Sequence, residues 1–334
     1  MSMNFFNIKK WPLLAFLFLS KGLVAQDPHF TQFNAAPFTV NPAYTGVFDG
    51  GSRVMSNYRQ QWSGLGTPYT TMVAAFDGKL FNDGQYVQNP FNMGIQFMSD
   101  KTMKGAFRSN FITATASYHV PLNTKGDQSL GVGLSASYGS RKVDFSSLTT
   151  ESQFTNGGFD LTLPNGEIAL NNMKPYTTVG AGLLYTYNNR EEGTFFDFGA
   201  AVYHLNKPQQ TILFDQYEYV PTRVSAQATL QRYTTNLMLL DVRLLYQNQA
   251  SIDYLLGGVS VAKLFSEERD ANMIGVGCWY RTGDAVSPFV FTEINRCRIG
   301  FTYDVQVNDI RKNVRPASSM EFSLQWRLGK PNEE

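Results

Sequence analysis

The side chains able to do chemistry in this 334-residue chain are few and scattered. Its histidines are His29, His119 and His204, and its cysteines are Cys278 and Cys297. Zinc and similar ions need His, Cys or carboxylate ligands at short spacings, and none of these residues stands at such a spacing. Neither a metal nor a cofactor is therefore expected. A membrane-embedded hydrolase would bring a Ser and a His together near the interface. His119 and His204 are the candidates for that role, but the strand order derived below sends them to opposite ends of the molecule. No enzyme is expected. Two charged constellations are left. Arg59 sits in a strand-like run and points inward, where a guanidinium must find a carboxylate or water; an internal salt bridge is the first reading and a ligand contact the second. Arg281 and Asp284 flank Gly283 and read as a local pair holding a tight turn, contributing about 0–1 kcal/mol if exposed. Binding is the second reading there.

The elements that must position these residues begin after a leader. Lys9 and Lys10 close a basic start, an apolar stretch runs from Trp11 to Leu19, and the small residue Ala25 precedes Gln26-Asp27-Pro28. That is the layout of a secretory signal peptide, shorter than the roughly 20 apolar residues of a membrane-spanning helix. Residues 1–25 are read as removed, and no cysteine stands at the cleavage point for a lipid anchor. Loss of Lys9, Lys10 and Lys21 leaves 25 basic against 27 acidic residues, so no clustered positive surface argues for nucleic acid.

Charged residues make up 16% and aromatic residues 14% of the chain, against about 25% charged in ordinary soluble proteins. Mean hydropathy is nevertheless only −0.24, and no later apolar run approaches the length of a spanning helix. A transmembrane β-barrel reconciles these facts, because a strand needs only about 10 residues and only alternate ones face lipid. The period of two is visible directly. Leu130, Val132, Leu134, Ala136 and Tyr138 alternate with Gly and Ser. Val179, Ala181, Leu183, Tyr185 and Tyr187 form a second such face, and Met320, Phe322, Leu324, Trp326 and Leu328 a third.

Similar segments occur at 53–62, 69–77, 92–100, 110–120, 129–138, 176–187, 195–203, 222–231, 237–246, 251–264, 272–281, 287–294, 297–305 and 319–328. The expected fold is thus all-β, an antiparallel barrel of about 14 strands over 52–334. With the N-terminus periplasmic, the odd-numbered connections face outward. The two longest, Gly139–Pro175 and His204–Pro221, are odd and fall outside, where such barrels carry their long loops. Gly78–Phe91 is the exception, an even connection of moderate length.

Residues 26–51 precede the barrel. Pro28, Pro37 and Pro42 argue against a regular strand. Phe30, Phe33, Phe38, Val40, Tyr44 and Phe48 make the segment too apolar for a solvated tail, so a plug in the lumen or at the periplasmic mouth is expected. Asn41-Pro42-Ala43-Tyr44-Thr45-Gly46 reads as two turns around an extended residue, a structural plug first and a partner contact second. In Tyr58–Trp62, Trp62 at a strand end suits an interfacial aromatic girdle. Cys278 falls in the eleventh strand and Cys297 at the start of the thirteenth. Two strand spacings separate them by about 9–10 Å, beyond the roughly 7 Å of a disulfide, so two free thiols are expected.

Three motifs in order carry a resemblance: Gln26-Asp27-Pro28-His29-Phe30-Thr31-Gln32-Phe33, then Asn41-Pro42-Ala43-Tyr44-Thr45-Gly46, then Tyr58-Arg59-Gln60-Gln61-Trp62. Together they resemble the opening of the PorP/SprF family of type IX secretion system membrane proteins. Trp279-Tyr280-Arg281-Thr282-Gly283-Asp284-Ala285 and Met320-Glu321-Phe322-Ser323-Leu324 are similar to that family's late strands. The resemblance singles out Asp27, Pro28, Gln32, Asn41, Pro42, Ala43, Tyr44, Gly46, Tyr58, Arg59, Gln61, Trp62, Tyr280, Arg281, Gly283 and Asp284. The chain departs from the pattern in Gly139–Pro175 and at Ser318-Ser319-Met320-Glu321, where members commonly carry Gly-Gly-x-Glu.

The resemblance implies a multi-pass barrel in the outer membrane of Bacteroidota, non-enzymatic, serving secretion or gliding. Its implied partners are outer-membrane lipid, a secreted adhesin with a C-terminal sorting domain, and the periplasmic ring or peptidoglycan-associated lipoproteins. From the residues alone the rival is a porin or hydrophobic-solute transport barrel, since a lumen of this size can also conduct. The long outer connections carry Phe145, Phe154, Phe159, Leu161, Ile212, Leu213, Phe214, Tyr217 and Tyr219. That is more apolar surface than solvated loops need, and Phe145, Phe154, Phe159, Leu213, Phe214, Tyr217 and Tyr219 are the candidate partner contacts.

Overall fold

Alternation of apolar and small polar residues has a direct consequence in the computed structural model. Fourteen antiparallel strands hydrogen-bond in sequence and close on themselves through the pairing of the first with the last. The structure describes residues 27–63, 67–80, 91–144, 148–164, 166, 174–189, 191–210, 219–266, 271–307 and 318–329. The expected leader, residues 1–25, lies outside the described residues.

In chain order the strands are β1 Ser52–Gln61, β2 Tyr69–Lys79, β3 Phe91–Thr102, β4 Phe107–Pro121 and β5 Gln128–Val143; the loop hairpin β6 Phe154–Thr155 and β7 Gly158–Phe159; then β8 Tyr176–Asn189, β9 Thr194–Tyr203, β10 Arg223–Thr234, β11 Met238–Gln249, β12 Ile252–Leu264, β13 Met273–Arg281, β14 Ala285–Ile294, β15 Cys297–Gln306 and β16 Ser319–Leu328. All but β6 and β7 belong to the barrel. Each of the fourteen expected strands is present. The largest difference is β5, which continues to Val143 while pairing with β4 down to Phe107. Ser140-Arg141-Lys142 carries no apolar alternation; the ladder to β4 extends the strand, with Arg141 and Val143 buried on its inner face.

Outward faces are apolar and exposed, as Leu130, Val132 and Leu134 on β5, Val179 and Leu183 on β8, and Phe322 and Trp326 on β16 illustrate. Inward positions are polar and buried, among them Asn57, Thr71, Gln96, Thr115, Ser135, Asp197, Gln227 and Glu293. This inversion of a soluble core is what a lipid-spanning barrel requires. The lumen is not uniformly polar, however. On β11–β14, Leu239, Leu245, Leu256, Met273, Trp279, Phe289 and Phe291 turn inward and pack with Phe33 and Val40 of the N-terminal segment. Cys278 and Cys297 are free thiols on β13 and β15, with β14 between them.

The barrel has two unlike ends. One carries the connections 144–175 and 204–222, and the other the tight turns 190–193, 235–237 and 295–296. In the last turn Asn295 and Arg296 both adopt positive φ, of 50° and 66°, the conformation that matches strand twist in a two-residue hairpin. Leu134 pairs with Ala181 and Leu183 with Val132 near the middle of β5 and β8. Leu134→Arg or Leu183→Arg should then cost about 2–4 kcal/mol of membrane stability. The expected readout is loss of the heat-modifiable folded band from outer-membrane fractions, while arginine at an exposed loop position leaves that band intact.

Candidate functional site

The segment Asp27–Gly51 runs along the inner wall between the two ends. At the long-connection end the Asp27 amide donates to Gln249 Oε1 at 2.9 Å, and its carboxylate lies 2.7 Å from His204 Nε2 and 3.4 Å from Arg223. At the tight-turn end Gly51 donates its amide to the Leu328 carbonyl, 2.9 Å away. Between these points the chain makes short 3-10 turns at Phe33–Ala35, Pro37–Thr39 and Pro42–Tyr44. Pro37 and Pro42 each occupy the first position of a turn, where a missing N–H costs nothing.

The Asn-Pro-Ala-Tyr-Thr-Gly motif forms the two turns expected, a capped 3-10 turn over Pro42–Tyr44 and a second turn over Thr45-Gly46 closed by the Val47 amide on the Tyr44 carbonyl at 3.1 Å, but the extended residue precedes them instead of separating them. Asn41 is the extended residue, and its side chain accepts from the Ala43 amide at 2.9 Å, which closes the turn over Pro42. The Asn41 amide group in turn donates to the Leu183 carbonyl at 2.9 Å. Glycines on the wall make this approach possible. A Cβ at Gly133 would lie 2.2 Å from the Ala43 nitrogen, and one at Gly182 would lie 2.1 Å from Asn41 Oδ1. Tyr44 donates to Asp197 at 2.6 Å. Gly46, with φ +78°, directs its amide to Asp77 at 2.8 Å, and Arg53 holds the same carboxylate.

Arg59 is the centre of a buried charge network. It bonds Glu321 at 2.8 Å, Asp304 at 2.9 Å and Thr31 Oγ1 at 2.6 Å. Arg281 reaches the same Asp304 at 2.7 Å and Asp284 at 2.5 Å. The turn pair read from the sequence exists, but Arg281 is buried and does more than hold a turn. Glu321 accepts from the backbone amides of Thr31 and Gln32, at 2.8 and 2.7 Å, and from Asn57 at 2.8 Å. Gln32 closes the contact by donating to the Glu321 carbonyl and accepting from Ser323.

Of the motif residues, Asp27, Gln32, Asn41, Pro42, Ala43, Tyr44, Gly46, Arg59 and Arg281 thus meet inside the barrel. Pro28 follows Asp27 along the same path. Tyr58, Trp62 and Tyr280 face outward, Gln61 ends β1, and Gly283 and Asp284 form the turn after β13, with Gly283 at φ +71°. Among the candidate contacts, Phe154 and Phe159 pack edge-to-face at 5.1 Å on the β6–β7 hairpin, and both are exposed, as is Tyr219. Phe145, Leu213, Phe214 and Tyr217 lie outside the described residues. Sequence reasoning missed Asp304, Glu321 and the Asp27–His204 contact. The signal for the first two was a carboxylate at an inward position of an otherwise outward-apolar strand.

Burial by itself would raise the Asp27 carboxyl, but Arg223 and His204 beside it hold it well below the usual carboxylate range. Burial and the nearby Arg223 push His29 down from 6.5 to about 4, against a hydrogen bond to Gln247 that favours its charged form. His29 also stacks on Tyr254, with ring centroids 4.4 Å apart. An unseated His29 binds a proton near pH 6.5 and a seated one only near 4. Acidification through that window therefore favours release, and the contribution is complete above pH 6.5. Asp27, held below its ordinary 3.8 when seated, adds a loss of the same sign that sets in only below about pH 5, so the upper part of the window belongs to His29. Proteolytic access to residues 27–50 should rise as pH falls from about 6.5 to about 4, and His29→Asn should flatten that dependence.

Toward the tight-turn end the segment leaves a cavity of about 730 Å³. Phe33, Pro37 and Tyr44 form its floor, and Lys79, Asp127, Asp197, Arg243, Arg298 and Arg327 stand among its wall residues. Glu293 holds Arg298 at 2.7 Å and also contacts Arg327, while Arg243 pairs with Asp241 at 2.8 Å.

The toluene transporter TodX of Pseudomonas putida is 9% identical with a TM-score of 0.49, over 91% of this chain and 98% of that one. A FadL homologue of Pseudomonas aeruginosa is 11% identical with a TM-score of 0.46, over 85% and 91%. CdiB of Acinetobacter baumannii is 7% identical with a TM-score of 0.43, over 83% of this chain, which spans 60% of that one. No curated protein matches the chain. The family model described as type IX secretion system membrane protein PorP/SprF matches residues 23–326. The chain, an outer-membrane β-barrel with its three opening motifs and its late strands inside that match, belongs to the PorP/SprF family of type IX secretion.

Proposed function

We propose that this barrel is a non-enzymatic docking component of the type IX secretion and gliding apparatus, whose N-terminal segment plugs the lumen. It holds the sorting domain of a secreted adhesin at the long connections, which face outward, and meets the periplasmic ring or its lipoproteins at the tight turns. The observation that supports this reading most is the contact of Asp27–Gly51 with the inner wall, through Gln249, Glu321 and the Leu183 carbonyl. Glu321 spends its carboxylate on the segment's own amides. A wall built to conduct would leave such groups to water. The exposed Phe154–Phe159 pair supports the outer rim as the place where a partner is held.

Shortening 144–175 by about ten residues tests the rim. Barrel assembly should be unchanged, because no barrel strand lies in the connection, while capture of the secreted partner falls to background. Co-purification of that partner at wild-type yield would move the contact to the lumen or the tight-turn face. The porin or hydrophobic-solute reading predicts instead that the shortened barrel changes only in permeability.

A further inference from the structure

The outward face of three adjacent strands ends, on the side of the long connections, in a row of cations. Lys101 on β3 stands directly opposite Arg108 on β4, and Arg108 directly opposite Lys142 on β5. All three residues are exposed, on the face that meets lipid nearer the barrel middle. Residues so paired have their Cβ atoms about 4.5–5.5 Å apart, and like charges directly opposite each other repel. The chain itself does not neutralise the row. None of the three forms an ion pair among the described residues, and Arg108 Nε donates to a neutral group, the Gly105 carbonyl, at 2.8 Å. Asp100, next to Lys101, is buried on the lumen face and accepts from Thr71. Asp144, two residues beyond Lys142, is set against three cations and leaves an excess of positive charge. Elsewhere on the outward faces of the described strands the cations are Arg232 and Lys263, each alone and near the tight-turn end.

What lies below the row follows the order of a lipid. Two residues toward the barrel middle, Ser99, Asn110 and Ser140 form the next outward row. Two residues further on, Phe97, Ile112 and Tyr138 form a third, and the strands continue apolar with Ile95, Ala114 and Ala136. Four residues of strand span about 14 Å, or about 10 Å of depth at a tilt of about 40°. Cations, then hydrogen-bonding groups, then apolar surface over that depth complement a phosphate, a sugar and ester layer, and acyl chains. Basic clusters at a membrane surface attract anionic headgroups in this way. The outer leaflet of a diderm outer membrane is a phosphorylated glycolipid, with its phosphates at headgroup level and its chains in the apolar band.

We infer that Lys101, Arg108 and Lys142 bind the phosphate of an outer-leaflet glycolipid whose acyl chains lie on the Phe97, Ile112 and Tyr138 face. The inference takes from the docking reading only the outward orientation of the long connections, and it assigns a ligand to an outer wall which that reading does not use. The full-length barrel in detergent would be titrated with fluorescent diphosphoryl lipid A. Dephosphorylated lipid A, phosphatidylglycerol and water-soluble glucosamine 1-phosphate are the comparison ligands. Lipid A is expected to bind about tenfold more tightly than its dephosphorylated form and than phosphatidylglycerol, and the free sugar phosphate should not displace it, because it lacks the chains. Lys101→Gln/Arg108→Gln/Lys142→Gln should lose that preference. Lys101→Arg/Lys142→Arg should keep it, and Arg232→Gln/Lys263→Gln should leave it unchanged. Heat-modifiable migration checks that each variant is folded, and removing mutually repelling charges from an exposed row should not impair folding. Should the triple variant still fail to fold, Arg108→Gln at the centre of the row is read instead, with a loss of about threefold. Equal binding of the dephosphorylated form or of phosphatidylglycerol, displacement by the sugar phosphate, or an unchanged preference in the charge-removing variant would overturn the site. An epitope inserted in 144–175 reports the orientation separately. If antibody reaches it on intact cells, a failed titration overturns the lipid site alone. If antibody does not reach it, the docking reading falls and the outer-leaflet assignment falls with it.

Discussion

Glu321→Ala is expected to release the N-terminal segment from the barrel wall and to destabilise the folded protein by about 3–5 kcal/mol, the cost of removing one partner from a buried ion pair. Glu321 is 1% exposed and takes four donors: Arg59, Asn57 and the amides of Thr31 and Gln32. Alanine strands all four at once, although Arg59 keeps Asp304. Because the two amides belong to the segment, the loss falls on its seating as well as on the barrel. The measurements are the midpoint of heat-induced unfolding in detergent and the rate at which protease cuts within 27–50. Arg59→Met/Glu321→Ala should recover part of the loss, since removing both charges is less costly than isolating one. A midpoint within experimental error of wild type for Glu321→Ala would mean that the network does not hold the segment.

The barrel was legible because its signal is repeated fourteen times. Alternation along 129–138, 176–187 and 319–328 depends only on which face meets lipid, and that is a local property of each strand. Connection parity placed both long connections at one end for the same reason. The interior was harder to read. Arg59 was recognisable as an inward charge, but its partners Asp304 and Glu321 are 245 and 262 residues away in sequence, and only the closure of β1 on β16 brings them together. His204 was set aside as a candidate for catalysis, whereas its contact is with Asp27 at the far end of the chain. Gly133 and Gly182 looked like ordinary small residues of a wet face, and their use as a seat for Asn41–Ala43 follows from tertiary approach alone. The apolar patch formed by Trp279, Phe289 and Phe291 was likewise hidden, because inward aromatic residues on β13 and β14 leave the outward alternation intact.

Removing the segment should have the largest effect on what the lumen can pass. With 27–50 deleted, nothing in the described structure bridges the wall residues that Asn41, Tyr44 and Gln32 now engage, and the lumen fills with water from both ends. Since deletion could also impair assembly, Gly182→Val serves as a second route. A Cβ added there would lie 2.1 Å from Asn41 Oδ1, so a larger side chain forces the motif off its seat while the strand keeps its pairing. Both variants should enter the outer membrane and retain heat-modifiable migration, with the segment in Gly182→Val newly open to protease.

Single-channel recording in planar bilayers tests the plugged docking barrel most directly. Wild type without partner should show no steady conductance, the 27–50 deletion should show long-lived open steps, and Gly182→Val should show intermittent ones. Steady conductance by the wild-type barrel, unchanged on deletion of 27–50, would contradict the account and make the protein a conducting channel.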